Sequence, residues 1–356
     1  MRVVIGMSGG VDSAVAAALL KEAGHEVIGL FMNNWSDRDG TCPADDDWAD
    51  ARSAAERLGI PIYSVDFSGE YYERVFETFL SEYKAGRTPN PDVLCNREIK
   101  FDAFAEYAGE LGADMIATGH YCGISHDGGE TRLLRAADRN KDQTYFLNQV
   151  RTEQLARVMF PLGGMKKPEV RALAEKYGLD SVAKKKDSTG ICFIGERNFR
   201  RFLSEYLPAQ PGDIADEDGT VIGRHDGLMY YTLGQRRGLG IGGLKGREQA
   251  RWFVVDKDLS TNRLIVSCGE DDRLFTRTLI ASGLNFIGAP PGSDEFECTA
   301  KTRYRQPDVP CRVALAGGVA RVVFDRPMRA VTPGQYVVFY SGERCLGGGV
   351  IDSAAK

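Results

Sequence analysis

Val3-Val4-Ile5-Gly6-Met7, Ser8-Gly9-Gly10-Val11-Asp12-Ser13 and Ala14-Val15-Ala16-Ala17-Ala18-Leu19-Leu20 follow one another without a break near the start of the chain. An apolar run, a glycine-rich hexapeptide and an alanine-rich segment predict a strand, a tight loop and a helix. The first N–H groups of a helix have no partner within it, and that end carries partial positive charge. Such a loop presents donors to an anion. Gly9 and Gly10 let the backbone approach it closely, and Ser8 and Ser13 add hydroxyls. The pattern GxxxxGK[ST] is absent and no lysine follows the glycines. That argues against phosphoryl transfer of the kinase or GTPase type. The competing reading is an ordinary glycine-rich turn.

The alternation continues. Residues 25–32 read as a second strand, 45–58 as a helix with Ala49, Ala51, Ala54, Ala55 and Leu58 on one face, and 60–65 as a third strand. Helical patterns follow at 70–84 and 98–111, then a strand at 114–118 ending in Gly119-His120. This predicts a doubly wound parallel α/β sheet with ligands at the carboxyl ends of its strands. Near residue 200 the pattern changes to short β-like runs between Gly, Pro and Asp clusters, at 252–255, 263–266, 319–324 and 336–340. The expected division is a catalytic domain at 1–200, a small linking domain at 201–272 and an antiparallel β-barrel at 273–356.

A chain of 356 residues suits two or three domains. No apolar run approaches the roughly 20 residues that span a bilayer, so no membrane partner is expected. The first strand leaves no room for a signal peptide, and a cytoplasmic protein is expected. Eight cysteines occur without a CxxC pair, which gives no support for a zinc or thioredoxin-like site, and no metal ligands are assigned. Net charge is −5, but Lys184, Lys185, Lys186, Arg197, Arg200 and Arg201 cluster, as do Lys301, Arg303, Arg305, Arg312, Arg321, Arg326 and Arg329. A basic face on an acidic protein and a merely solvated face are the two readings.

Three further segments carry chemistry: Gly86-Arg87-Thr88-Pro89-Asn90-Pro91-Asp92-Val93-Leu94-Cys95-Asn96, Lys141-Asp142-Gln143-Thr144-Tyr145-Phe146-Leu147, and Lys185-Lys186-Asp187-Ser188-Thr189-Gly190-Ile191-Cys192-Phe193-Ile194-Gly195-Glu196. The hexapeptide 8–13 matches SGGxDS of the ATP pyrophosphatases. With these segments, and with Tyr231-Thr232-Leu233-Gly234-Gln235-Arg236-Arg237-Gly238, Lys301-Thr302-Arg303-Tyr304-Arg305-Gln306 and Pro333-Gly334-Gln335, the chain resembles the tRNA-specific 2-thiouridylases along its whole length. Departures are small: Ala14 and Thr144 stand where serine is common, and Cys122 where alanine is common.

The resemblance implies an adenine nucleotide α-hydrolase-like first domain and ATP-dependent 2-thiolation of the wobble uridine of tRNA. Residue chemistry agrees. A uracil oxygen is a poor leaving group until adenylated, a persulfide delivers nucleophilic sulfur, and a second thiol resolves what remains. By resemblance Cys192 carries the persulfide, Cys95 is its partner in a Cys95–Cys192 disulfide, and Asp92 is the general acid/base; a turn-forming role is the alternative for Asp92. ATP contacts carry over to Gly6, Met7, Ser8, Gly9, Gly10, Val11, Asp12, Ser13, Met32 and Gly119, with Mg²⁺ screening the phosphates. Asn90, Pro91 and Asp92 fall beside the target base. His120, Lys141, Asp142, Gln143, Arg303, Tyr304 and Gln335 fall on tRNA, whose lysine, glutamate and glutamine acceptors the family implies. The sulfur donor would be a cysteine desulfurase or a relay protein. The two cysteine segments are read as Gly- and Pro-rich loops. Lys184, Lys185 and Lys186 could favour the Cys192 thiolate, bind phosphate, or face solvent. Cys42, Cys122, Cys268, Cys298, Cys311 and Cys345 receive no role. The rivals are an amidotransferase-like ligase sharing only the loop, and a catalytically silent tRNA-binding protein.

Overall fold

The computed structural model describes residues 1–35, 45–185, 199–241 and 251–355. Near the N-terminus run β1 (Arg2–Gly6), α1 (Val11–Glu22), β2 (Glu26–Asn33), α2 (Asp45–Leu58) and β3 (Ile62–Asp66). They are followed by β4 (Met115–Ala117), a hairpin of β5 (Gly123–Ser125) and β6 (Arg132–Leu134), and β7 (Val158–Met159). The first sheet is parallel and ordered β3-β2-β1-β4-β7. Chain order reverses between β1 and β4, and in such sheets ligands bind outside the carboxyl ends of the strands at that point. The hexapeptide 8–13 leaves β1 at that end, and Gly119 follows β4 there.

Both faces of this sheet are covered, as the alternation predicts. On one side α1 buries Ala14, Val15, Ala16, Ala17, Ala18 and Leu20, and Ala51, Ala54, Ala55 and Leu58 of α2 join the same core. Alanines allow the helices to approach the sheet and each other closely. On the other side Phe76, Phe79, Val93, Leu94, Ile99 and Phe104 pack against Val4 and Leu30.

The helix expected at 98–111 begins earlier. Pro91 occupies its first turn, where a missing N–H costs nothing and the fixed φ suits a helix. Helix Pro91–Cys95 then runs through a π-helical stretch, Asn96–Ala103, into Phe104–Glu110. Asp92 and Cys95 therefore sit on a helix and not in the expected loop.

The middle sheet holds β8 (Gly212–Ala215), β9 (Val221–His225), β10 (Trp252–Asp258) and β11 (Arg263–Cys268), ordered β10-β11-β8-β9. The last six strands are β12 (Phe275–Phe286), β13 (Glu295–Lys301), β14 (Val309–Ala316), β15 (Val319–Arg329), β16 (Tyr336–Ser341) and β17 (Arg344–Ala355). They run antiparallel, and pairing of β12 with β17 closes them into a barrel around Leu279, Val313, Val322, Phe324, Val337 and Phe339. One connection was not foreseen: β6 pairs with β17, Leu133 opposite Cys345 and Leu134 opposite Arg344. The early hairpin is thus an extension of the barrel sheet. Among the described residues no helix is long and apolar enough to cross a membrane.

Candidate active site

The loop after β1 closes on itself. Ser8 N–H donates to Ser13 Oγ at 3.1 Å, and Ser13 Oγ donates to Gly10 O at 3.0 Å. Gly10 caps α1 without any side-chain bond to the helix N–H groups. Gly9 has φ +70°, and a Cβ there would lie 2.2 Å from Asp47 O, so α2 begins directly over the loop. Gly6, Met7 and Val11 are buried and contribute backbone. Met32 is half-buried, with Cε 3.2 Å from where a Gly6 Cβ would be. Gly119 was expected to make room for a nucleotide; the geometry adds a second reason. A Cβ at Gly119 would lie 2.8 Å from Ser13 N, so β4 abuts the start of α1.

Charges around this loop come from distant sequence. Lys167 Nζ lies 2.8 Å from both carboxylate oxygens of Asp12, and Tyr121 OH donates to Asp12 Oδ1 at 2.7 Å. Lys185 Nζ bonds Gly9 O at 3.2 Å and Asp47 Oδ1 at 2.7 Å, and also pairs with Asp50. Of the basic triplet, Lys184 is exposed, Lys185 joins the loop, and Lys186 lies outside the described residues. Lys167 and Tyr121 escaped the sequence reading, since neither stands in a recognisable spacing to 8–13.

The second half of the site is segment 86–96. Asn90 precedes the helix in an extended conformation, Asp92 lies in its first turn, and Cys95 is 2% exposed. Burial raises the Asp92 carboxyl above its ordinary range, and the nearby Lys100 ammonium opposes that shift. Lys100 also acts on His120, whose pKa burial drives well below the usual imidazole value, with Lys100 adding to the effect. The His120 ring lies near Phe101 and Phe160, with Nδ1 2.7 Å from Thr118 Oγ1. Lys100 was missed because it sits in an ordinary amphipathic pattern.

Three other regions hold this segment. From the middle domain, Lys257 Nζ donates to Gly86 O at 3.2 Å. From the barrel, Pro333 O accepts Thr88 N–H at 3.0 Å, and Gln335 Nε2 donates to Thr88 O at 2.8 Å. From segment 141–147, Phe146 O accepts Asn96 Nδ2 at 3.1 Å. The same segment reaches the loop side, because Gln143 Oε1 accepts Tyr121 N–H at 2.8 Å. Asp142 is buried and accepts from Ala136 N–H and Thr144 Oγ1, while Lys141 is half-buried. Arg303 donates to Leu233 O, Ala330 O and Thr332 Oγ1, tying the middle domain to the barrel. The Tyr304 ring lies 4.5 Å from that of Phe146. The geometry thus brings 8–13, 119–121 and 142–143 together and clamps Gln335 to 88–89.

Cys192, and with it the expected Cys95–Cys192 pairing, lies outside the described residues, as does Cys42. Cys122 and Cys345 are buried thiols, Cys268 is exposed, and Cys298 and Cys311 face each other across β13 and β14. Among the described residues no three His, Cys, Asp or Glu side chains cluster to hold a metal.

Three family models match in succession: a tRNA methyl transferase HUP domain at 1–196, a tRNA methyl transferase PRC-barrel domain at 200–268, and an aminomethyltransferase β-barrel domain at 276–351. Full-length relatives carry a different name. The tRNA-specific 2-thiouridylase MnmA of Streptococcus mutans is 60% identical over 99% of this chain and 95% of its own length. That of Enterococcus faecalis is 59% identical over 99% and 96%. The identity runs through every domain, and the chain belongs to the tRNA-specific 2-thiouridylase family of enzymes.

Proposed function

We propose that the protein replaces the C2 oxygen of the wobble uridine of tRNA with sulfur, in the cytoplasm, at the expense of ATP. The observation that carries this reading is the carboxyl end of β4. Gly119 abuts Asp12 and Ser13 of the anion loop, and the next residue, His120, shares Lys100 with Asp92. We take the anion-binding loop and the buried carboxyl on the helix of Cys95 as two sides of one crevice.

In this reading Gly6 to Ser13, Met32 and Gly119 hold ATP. The uridine C2 oxygen attacks the α-phosphorus and pyrophosphate leaves. Asp12 would hold Mg²⁺ as a hard oxygen donor, and the ion would screen the phosphate charge there; one carboxylate plus phosphate oxygens is a usual protein share for it. Asn90 and Pro91 border the target base, and Asp92, its pKa raised by burial, moves the proton. The terminal sulfur of a Cys192 persulfide attacks C2 and AMP departs. The Cys95 thiolate then attacks the Cys192 sulfur of the resulting disulfide, releasing 2-thiouridine and leaving Cys95–Cys192 for a dithiol to reduce. A cysteine desulfurase or relay protein reloads Cys192. The wobble base lies in an open loop, so turning it out costs less than extracting a paired base. His120, Lys141, Asp142, Gln143, Arg303, Tyr304 and Gln335 line the expected path of tRNA, and lysine, glutamate and glutamine acceptors are its substrates. The working division into 1–200, 201–272 and 273–356 assigns chemistry to the first part and tRNA support to the others.

The test incubates the protein with labelled ATP, Mg²⁺, a persulfide donor and unmodified tRNA. AMP, pyrophosphate and 2-thiouridine are expected in equal amounts, and Cys95→Ser and Cys192→Ser make no product. ADP as the coupled product, or wild-type thiolation by both variants, overturns the reading.

A further inference from the structure

The loop 8–13 lacks a charge that its proposed work requires. Pyrophosphate leaves with several negative charges, while the loop provides N–H and hydroxyl dipoles and one carboxylate of the wrong sign, Asp12. Phosphate-binding loops of the GxxxxGK[ST] type solve this with their own lysine. Among the described residues here, two cations reach the loop from elsewhere: Lys185, whose ammonium is already shared by Asp47 and Asp50, and Lys167, on Asp12 at the start of helix Lys167–Lys176. Lys167 is 8% exposed, and Nζ lies 2.8 Å from each Asp12 oxygen.

The base of this lysine is anchored. Asp138 Oδ2 accepts the Lys167 N–H at 3.0 Å, and Glu169 Oε2 accepts the preceding N–H at 2.6 Å. Val170 and Ala174 of the same helix lie in the core that α1 shares. Backbone movement is therefore restricted, but the four-carbon stem allows the ammonium to move by a few ångströms between neighbouring anions. Lys167 is buried while the Asp12 side chain stays about a third exposed, so desolvation of the ammonium offsets part of the attraction, and the pair opens towards the crevice on its Asp12 side alone.

Resting on the ATP reading above, we propose that Lys167 is the pyrophosphate-binding cation of this loop. In the free protein its ammonium is held on Asp12. When nucleotide and Mg²⁺ occupy the crevice, Asp12 turns to the metal and Lys167 passes to oxygens of the departing β,γ-diphosphate. The lysine that the loop sequence omits is thus supplied from another helix.

Calorimetry on the full chain tests this with inorganic pyrophosphate, ATP and AMP as titrants. Lys167→Met should weaken pyrophosphate and ATP at least tenfold and AMP less than twofold; Lys167→Arg should keep pyrophosphate within about threefold. Unchanged pyrophosphate affinity in folded Lys167→Met, or a parallel loss of AMP, assigns the lysine to structure alone and overturns the proposal. A second arm does not depend on the single variant folding. Asp12→Asn removes the carboxylate that holds the ammonium and should tighten Mg²⁺-free pyrophosphate several-fold; Asp12→Asn/Lys167→Met, with both charges of the pair removed together, should lose that gain. No tightening, or a gain that survives the double substitution, also overturns it. Failure of the ATP reading is distinguishable, since wild-type protein would then release ADP instead of AMP and pyrophosphate.

Discussion

The anion loop and the Cys95 segment are built in opposite ways. Loop 8–13 closes through Ser8, Gly10 and Ser13, all within six residues, and leans on the helix it starts. In segment 86–96 only the helix from Pro91 closes on itself, and residues 86–90 ahead of it lean on other regions. The segment is held by Lys257 from the middle domain, Pro333 and Gln335 from the barrel, and Phe146 from segment 141–147 of the first domain. A local motif needs few neighbours and survives as a recognisable string. A segment shaped from outside depends on residues hundreds of positions away.

The contrast is most exposed to test at Asp12. Asp12→Asn should lower AMP formation by about a hundredfold or more, the scale of losing one preorganised electrostatic group, while 86–96 keeps its contacts. Equal loss of cysteine reactivity in that variant would merge the two regions into one. The reverse cut is Gln335→Ala. It removes the barrel's hold on Thr88, and should slow thiolation about tenfold at saturating tRNA, near the value of one or two hydrogen bonds. ATP affinity should stay within twofold; a matching loss there would show that the barrel serves the whole crevice.

Lys257 sharpens the comparison through pH. Burial lowers its pKa to about 8, from an ordinary 10.5. The folded state thus gives up this proton more readily than the unfolded state. Its contribution to stability is greatest above pH 10.5 and declines as pH falls towards 8, by a total on the order of 1–3 kcal/mol. Denaturation midpoints of wild type and Lys257→Met should therefore diverge between pH 10 and pH 8, the variant being relatively more stable at pH 8. A constant difference would mean that Lys257 is solvated. The smallest effect is expected at Lys100, whose charge opposes the burial shift of Asp92. Lys100→Met should move the acidic limb of the thiolation rate to higher pH, and a limb that stays in place would detach Asp92 from the rate.

The same contrast explains what could be read in advance. Strand, loop and α1 were legible because apolar periodicity and glycine placement act over a few residues, and α2 was legible from its alanine face. The start of the helix at Pro91 was not, because Thr88-Pro89-Asn90-Pro91 has the composition of a loop, and its capture by Pro333 and Gln335 is tertiary. Lys167 and Tyr121 were silent for a related reason: a lysine before a proline and a tyrosine after a histidine acquire meaning only when folding sets them on Asp12. Arg303 and Gln335 were noticed for their family pattern, but the bonds that occupy their side chains inside the protein became visible only in three dimensions.

The pairing of β6 with β17 also has a consequence for biosynthesis. At translation speeds of about 5–20 residues per second, the ribosome needs roughly 10–40 s to pass from Leu134 to the strand that covers it. Throughout that interval the nascent hairpin displays an unpaired β edge, a surface on which other chains readily nucleate aggregates. A messenger truncated before Arg344 would leave that edge permanently bare, so nonsense products should depend strongly on chaperones and be cleared rapidly, even though the parallel sheet is fully encoded in them.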